Sequence, residues 1–168
     1  MNIRTAKIED LKEILDIYNY EVENSISTLD LHKKTYDEQK IWFDAHNKEN
    51  HPLIVAEDNG RILGYSSLSP YRDKEAYKTT VELSVYVSPN YRKMGVATAL
   101  MSEIIRYAKK DDATHTVVSV ITSGNEASCA LHEKFGFTFC GTVRRAGKKF
   151  GRFLDIDNYY LFTDGEKQ

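Results

Sequence analysis

The chain reads Ser84-Val85-Tyr86-Val87-Ser88-Pro89-Asn90-Tyr91-Arg92-Lys93-Met94-Gly95-Val96-Ala97-Thr98 at the point that decides its fold. A β-branched and aromatic run, typical of a strand, stops at Pro89, and a helical pattern begins directly after Gly95. A helix N-terminus that follows a strand in this way presents unpaired amides and a favourable dipole to an anion. The stretch therefore predicts a phosphate-binding turn to which Arg92 and Lys93 add positive charge. An ordinary solvated turn is the alternative.

Composition limits the classes of protein to which the chain can belong. Its 168 residues favour one domain, expected over residues 1–163, with a polar tail at 164–168. The 23 Lys and Arg balance 25 Asp and Glu, which argues against a nucleic-acid or membrane partner. The N-terminus lacks the apolar core of a signal peptide. Two cysteines and five scattered histidines show no metal or redox spacing, so we expect a cytoplasmic protein without a metal.

The order of apolar patterns predicts the elements β-α-α-β-β-β-α-β-α-β-β. An Asn-Gly hairpin at 58–61 indicates antiparallel strands early in the chain, and later strand-helix-strand connections indicate parallel ones. The fold class is therefore α+β, or mixed α/β, with helices flanking a mixed sheet. A continuous β-rich run at 116–121 predicts a strand that is covered on both faces. The last strands are expected at 137–145 and 153–161, joined by a turn at 147–151.

A short helix is expected over residues 125–135, closed by Gly136. Asn125, Ser128, Cys129 and His132 have the spacing that places them on one face of this helix. The helix is either an ordinary surface helix or one whose polar stripe faces a ligand. In the second case Asn125 bonds the amides of an extended ligand and His132 gives a proton to a leaving group. Cys129 invites a covalent, ping-pong mechanism, but helical spacing explains it equally well.

The strand that precedes the anion turn carries a candidate general base. Alternation places Glu82, Ser84 and Tyr86 on one face of this strand. Val81 and Leu83 flank Glu82, and partial desolvation would raise the pKa of its carboxyl group. Such a carboxylate can take a proton from an ammonium nucleophile. A glutamate on the solvated face of an antiparallel strand is the alternative.

Three segments, at 82–89, 92–97 and 125–137, resemble in this order the GNAT (GCN5-related) N-acetyltransferases. The chain is most similar to the phosphinothricin and methionine sulfoximine or methionine sulfone acetyltransferase group, and the loop at 70–82 carries the resemblance to that group. The resemblance implies a mostly antiparallel sheet whose fourth and fifth strands are parallel and splay apart to take the pantetheine arm of acetyl-CoA. The residues that it implies for binding this cosubstrate are Val85, Tyr86, Val87, Arg92, Lys93, Met94, Gly95, Val96, Ala97, Thr98, Asn125 and Ser128.

The same resemblance implies roles in catalysis and substrate binding. Glu82 matches the general base, and His132 stands where most of the family has a tyrosine as general acid. The phosphinothricin group also has histidine there, which leaves open whether His132 protonates the thiolate, orients the substrate or packs. Arginine binds carboxylates in a bidentate manner, which favours Arg72 over Lys74 as the partner of a substrate carboxylate. The implied substrate-binding residues are Arg72, Asp73, Lys74, Tyr77, Glu82, Leu83 and Ser84.

The expected reaction is direct transfer of an acetyl group from acetyl-CoA to the amine of a small amino-acid-like substrate. Backbone amides near Val87 would stabilise the oxyanion. The alternatives are a GNAT enzyme that acts on protein N-termini or lysines, a CoA-binding module without catalysis, and a nucleotide-phosphate binder. The family resemblance also implies a homodimer. A hairpin at Lys148, Lys149 and Phe150 could reach the partner subunit.

Overall fold

Seven strands form one sheet in a computed structural model that describes residues 1–164. The strands are β1 (Asn2–Thr5), β2 (Leu53–Asp58), β3 (Arg61–Pro70), β4 (Thr80–Val87), β5 (Thr116–Thr122), β6 (Thr138–Lys149) and β7 (Arg152–Phe162). They lie in the order β1-β2-β3-β4-β5-β7-β6, and within the described residues only β4 and β5 are parallel neighbours. The expected mixed, mostly antiparallel sheet is confirmed.

Four α-helices flank the sheet in the described part of the chain. They are α1 (Leu11–Asn24), α2 (Tyr36–Asp44), α3 (Val96–Lys110) and α4 (Glu126–Lys134). Short 3-10 turns lie at Ile8–Asp10, Glu75–Thr79 and Pro89–Tyr91. None of the helices described is long and apolar enough to span a bilayer. Of the predicted polar tail, residues 165–168 lie outside the described residues.

Two apolar clusters cover the opposite faces of the sheet. Alternate residues of β2 divide between them, because Ile54 packs with α3 while Leu53 packs with α1 and α2. The apolar stripe of α3 is buried from Leu100 to Ala108. On α2, Trp42 and Phe43 pack inward, whereas Ile41 is exposed. The helices therefore cover both faces of β2 and β3 along most of their length.

The parallel pairing of β4 and β5 stops halfway along both strands. Only Thr80, Val81 and Glu82 of β4 pair with β5, although β4 continues to Val87 and β5 to Thr122. Each strand keeps its outer partner over this distance, β3 for β4 and β7 for β5. The two strands consequently diverge beyond Glu82, which confirms the splayed central pair.

The structure corrects two expectations about the later strands. The prediction that both faces of β5 are covered was wrong: Val117 and Ile121 are buried, but Val120 is 38% exposed because it faces the opening of the splay. The prediction of a turn over residues 147–151 was also wrong. Only Phe150 and Gly151 form the turn, both with positive φ, as two-residue hairpin loops require.

Lys149, which was expected to reach a partner subunit, instead points into its own chain. Its side chain is buried, and Nζ donates a hydrogen bond to the carbonyl oxygen of Thr28 at 2.8 Å. Gly147 approaches the same segment so closely that an added Cβ would lie 2.9 Å from Leu29. The β6–β7 hairpin therefore holds the segment that links α1 to α2.

Gly64 lies so close to the neighbouring strand and helix that it generates a stability prediction. A Cβ at this position would lie 2.6 Å from the carbonyl oxygen of Tyr86 and 3.2 Å from Cδ1 of Leu100. We expect Gly64→Ala to lower the free energy of unfolding by about 1–3 kcal/mol, measured by urea denaturation. The control is Gly60→Asn, at an open turn position with φ +76° that asparagine tolerates, where we expect a change within about 0.5 kcal/mol. Equal stabilities of the two variants would contradict the close approach.

Candidate active site

A cleft of about 340 Å³ opens between the diverging ends of β4 and β5. Its walls are residues 83–87 of β4 and residues 119–122 of β5. Asn125 and Ser128 border it from α4, Glu21 from α1, and Ala97 from α3. The cleft therefore brings together the strand, the turn and the polar helix face that the sequence singled out.

The turn before α3 has the backbone conformation expected of an anion site. Lys93 and Gly95 both have positive φ, at 62° and 80°, and an added Cβ on Gly95 would meet nothing within 4 Å. The left-handed backbone conformation, and not a neighbouring protein atom, is therefore what favours glycine at position 95. The first amides of α3, at Val96, Ala97 and Thr98, have no intrahelical acceptors. Since Ala97 lines the cleft, these amides lie at its edge.

Arg92 lies at the same turn, but its guanidinium group is paired within the protein. It forms an ion pair with Glu21, a carboxylate that is almost fully buried at the end of α1, and it lies 5.7 Å from the ring of Tyr20. Sequence reasoning missed Glu21. A signal was present, because the spacing of Ile14, Ile17 and Glu21 places this glutamate on the apolar face of α1. Arg92 therefore ties the turn to α1.

The polar face of α4 points inward, so the ordinary surface-helix interpretation was wrong. His132 is only 5% exposed and packs against the rings of Phe137 and Tyr159. Its Nδ1 lies 2.7 Å from the carbonyl oxygen of Ser128, and its Nε2 lies 2.8 Å from Oγ of Ser119. A carbonyl only accepts, so Nδ1 carries the hydrogen and Nε2 accepts from the Ser119 hydroxyl.

This arrangement bears on what His132 can do chemically. Burial lowers the pKa of its imidazole, which favours the neutral ring at neutral pH. In that state the single N–H of His132 is bound to its own helix and has no hydrogen to offer to the cleft. Of the roles left open by the sequence, the geometry favours positioning over proton donation. Asn125 caps α4 by accepting from the amide of Ser128, which leaves its side-chain NH2 group for a ligand.

Glu82 lies at the closed end of the splay, where β4 and β5 are last paired. Its carboxyl group is half-buried, and burial raises its pKa. It shares a face of β4 with Tyr86, whose ring packs against Tyr18 and Tyr65, as the predicted alternation requires. Glu82 itself does not line the cleft, although its neighbours Leu83 and Ser84 do. A carboxyl group with a raised pKa at this end of the cleft can accept a proton.

The predicted substrate loop lies apart from the cleft wall. Arg72, Asp73 and Lys74 are exposed, and the guanidinium group of Arg72 lies 4.9 Å from the ring of Tyr71 and 5.5 Å from that of Tyr77. Because this loop joins β3 to β4, all these residues lie at the same end of the hairpin as Glu82. Lys93 and Met94 are exposed and Val96 is buried, all outside the cleft wall.

Comparison with known proteins identifies the class to which this fold and cleft belong. The model of the acetyltransferase (GNAT) family matches residues 10–137. The chain belongs to this family of acetyltransferases.

Individual relatives match almost the whole chain. It is 38% identical over 164 residues to L-methionine sulfoximine/L-methionine sulfone acetyltransferase of Pseudomonas paraeruginosa, covering 97% of this chain and 95% of that protein. It is 38% identical to phosphinothricin N-acetyltransferase of Streptomyces coelicolor, covering 95% and 94%. The crystal structure of a GNAT phosphinothricin acetyltransferase from Sinorhizobium meliloti with acetyl-CoA has a TM-score of 0.90 at 31% identity, covering 96% and 87%. A ribosomal-protein-alanine N-acetyltransferase from Brucella melitensis has a TM-score of 0.93 at 36% identity, covering 96% and 99%.

The hydrogen bonds of His132 generate a prediction about its titration. Because burial lowers its pKa, we expect the ring to protonate below the ordinary value of about 6.5 and to carry its hydrogen on Nδ1 at pH 7. The Ser119 hydroxyl donates to the neutral ring, but it can turn to accept a stronger, charge-assisted hydrogen bond from the protonated ring. Ser119→Ala should therefore lower the pKa of His132 further. The chemical shifts of the ring nitrogens, measured by NMR across pH, report the pKa of His132 and the nitrogen that carries its hydrogen.

The control for this titration is Ser123→Ala, which removes another buried hydroxyl that has no hydrogen-bond partner in the described structure. It should leave the pKa of His132 unchanged. A wild-type ring that is protonated at pH 7 would contradict the proposed hydrogen-bond polarity.

Proposed function

We propose that the protein transfers the acetyl group of acetyl-CoA to the amino group of a small amino-acid-like substrate. The substrate type is that named for its relatives: phosphinothricin, methionine sulfoximine or methionine sulfone. The observation that carries the proposal is the cleft, in which the unpaired edge of β4 leads from the N-terminus of α3 to Glu82. The transfer is direct, within a complex of both substrates, and the enzyme is proposed to act in the cytoplasm, where its free cysteines Cys129 and Cys140 would stay reduced.

The described residues fit acetyl-CoA along the whole cleft. The backbone groups of Val85 and Val87 point to the free edge of β4 and match the amides of a pantetheine arm, whereas those of Tyr86, between them, pair with β3. The side-chain NH2 group of Asn125 offers a donor from the opposite wall. The amides from Lys93 to Thr98 are proposed to hold the pyrophosphate. Acetyl-CoA supplies the activated acetyl thioester when it is bound.

The chain's own residues then handle the proton and the developing charge. Glu82 takes a proton from the substrate ammonium group, which frees the amine to attack the thioester carbonyl. Amides near Val87 stabilise the oxyanion that forms. His132 fixes α4 against β5 through Ser119 and keeps the cleft wall in place. This assignment needs no covalent intermediate at Cys129.

Arg72 is the proposed partner of the substrate carboxylate. Its guanidinium group lies beside Tyr71 and Tyr77, which limits its freedom, at the Glu82 end of the β3–β4 hairpin. A planar guanidinium binds a carboxylate through two parallel hydrogen bonds. The likeness to a ribosomal-protein-alanine acetyltransferase structure keeps a protein N-terminus as the second candidate substrate. The α-carboxyl group of a protein's N-terminal residue is part of a peptide bond, so that residue offers no free α-carboxylate to Arg72.

The decisive experiment follows thiol release from acetyl-CoA with separate amine substrates. We expect turnover with phosphinothricin, methionine sulfoximine and methionine sulfone, and none with an alanine-terminated peptide. In Glu82→Gln, kcat should fall by roughly 10²–10⁴-fold because the amide cannot accept the proton, while acetyl-CoA affinity measured by calorimetry stays near wild type.

The matched control for this variant is Glu133→Gln, a change of the same kind at an exposed position of α4, which should leave kcat unaltered. Turnover confined to the peptide would reject the small-substrate proposal. An unchanged rate in Glu82→Gln would remove this residue from the reaction.

We also propose that the enzyme is a homodimer assembled through β6. This strand is an edge of the sheet in the described structure, and its residues are exposed along most of its length. Large apolar side chains add to this surface, with Phe139 and Val143 each 52% exposed and Phe153 60% exposed. An unpaired edge strand with apolar side chains is a template for pairing with another chain.

The dimer is tested by placing charge on the proposed surface. We expect the double variant Val143→Asp and Phe153→Asp to sediment as a monomer in analytical ultracentrifugation, because carboxylates would be buried without partners. Ile41→Asp, which changes an exposed isoleucine of α2, should leave the dimer intact. A wild-type protein that is monomeric at micromolar concentration would overturn the proposal.

A further inference from the structure

Three cross-strand pairs between β3 and β4 share the face of the sheet that carries Glu82. They are Tyr65–Tyr86, Ser67–Ser84 and Ser69–Glu82. The tyrosine rings of the first pair are 5.4 Å apart and pack with apolar residues of α1 and α2. All three pairs therefore lie on the face of the sheet that these helices cover. Directly opposite residues have Cβ atoms about 4.5–5.5 Å apart. Ser69 is therefore the cross-strand side-chain neighbour of Glu82.

Ser69 is in turn bound by a buried histidine that follows α2. His46 has its Nδ1 2.7 Å from the carbonyl oxygen of Trp42 and its Nε2 2.9 Å from Oγ of Ser69. The carbonyl oxygen only accepts, so Nδ1 carries the ring hydrogen. Burial lowers the pKa of His46, which leaves Nε2 bare at neutral pH. The hydroxyl hydrogen of Ser69 is therefore donated to His46.

The polarity of the His46–Ser69 hydrogen bond determines what Ser69 offers to Glu82, its cross-strand neighbour, to which it is not hydrogen-bonded in the described structure. With its hydrogen committed to His46, Ser69 offers only oxygen lone pairs across the strand. A lone pair can accept from a protonated carboxyl group but gives nothing to a carboxylate. A hydrogen bond from Glu82 to this oxygen would therefore form only with the protonated carboxyl group, which is the form that exists after Glu82 has taken a proton.

We propose that His46 and Ser69 are positioning residues that tune Glu82 as the proton acceptor of the reaction. This inference rests on the proposed function, in which the substrate ammonium group loses one proton and the Glu82 carboxylate gains it. The new O–H group then donates to Oγ of Ser69. A base whose conjugate acid is held in this way works closer to the pH of the cell.

The other neighbours of Glu82 do not supply this effect. Val118 is its partner on β5, and Ser84 is the next residue on the same face of β4. Within the described residues, burial is the one resolved cause of its raised pKa. The titratable neighbour of His46 is His51, which lowers the pKa of His46 further, and burial also lowers the pKa of His51 itself.

The pKa of Glu82 can be measured directly, by NMR of the protein labelled with ¹³C at glutamate side-chain carboxyl groups. Ser69→Ala removes the acceptor for the protonated form, so the pKa of Glu82 should fall by about half a unit to one unit. Ser69→Thr keeps the hydroxyl and should restore it. In His46→Leu the Ser69 hydroxyl is free to donate to the carboxylate, and the pKa should fall further than in Ser69→Ala.

The matched control is Ser67→Ala, which removes the neighbouring buried hydroxyl on the same face, one that has no partner in the described structure. It should leave the pKa of Glu82 in place. Glu82→Gln assigns the signal, and a thermal melt of each variant establishes that it is folded. An unchanged pKa in folded Ser69→Ala overturns the inference whatever His46→Leu does.

The kinetic counterpart is the acidic limb of the pH profile of kcat/KM. Since Glu82 must be deprotonated to act, a lower pKa moves this limb to lower pH in Ser69→Ala, by the same shift that NMR gives. The NMR titration needs no substrate, so it separates the two proposals. If the pKa of Glu82 shifts in Ser69→Ala but the wild-type protein has no acetyltransferase activity, the role of His46 and Ser69 is supported and the proposed function is rejected. If the wild-type protein is active but the pKa does not shift, the function is supported and the role of His46 and Ser69 is rejected.

Discussion

The interrupted hydrogen bonding between β4 and β5 is the constraint on which the site depends. Each strand keeps its outer partner to the end, so beyond Glu82 two rows of backbone groups face one another without pairing. Unpaired backbone groups are tolerated only where water or a ligand can reach them. The gap therefore has to be a cleft, and the N-termini of α3 and α4 both meet it.

Buried polar side chains attach three of the helices to other parts of the protein. Glu21 joins α1 to the turn before α3, His132 joins α4 to β5, and His46 joins the end of α2 to β3. A buried polar group without a partner is costly, so each of these pairings allows one placement of its helix. Apolar packing alone would define the layers but would specify these placements less sharply.

Local signals explain what could be predicted from the sequence. The hairpin at Asn59 and Gly60, the start of α3 after Gly95 and the cap of α4 at Asn125 each depend on a few adjacent residues, and the structure has all three. The splay came from family resemblance, because no periodicity reports where a strand pair stops. The continuous β-rich run of β5 gave a wrong prediction for its two faces, since the same run suits a strand that borders a cleft.

The missed parts of the site depend on partners that are distant in the chain. His132 and Ser119 are 13 residues apart, His46 and Ser69 are 23, and Arg92 and Glu21 are 71. No spacing rule for helices or strands links such positions. The inward orientation of His132 and the pairing of Arg92 therefore became visible only once the sheet had brought these segments together.

The pairing of Arg92 with Glu21 also limits which anions suit the turn before α3. An anion that drew Arg92 away would leave Glu21 buried as an isolated charge, at a cost of several kcal/mol. We therefore expect the turn to attract its ligand mainly through its backbone amides rather than through this paired guanidinium group. Recognition of that kind rewards the shape of the anion over its total charge, which favours a pyrophosphate seated on a helix over a phosphate held loosely at the surface.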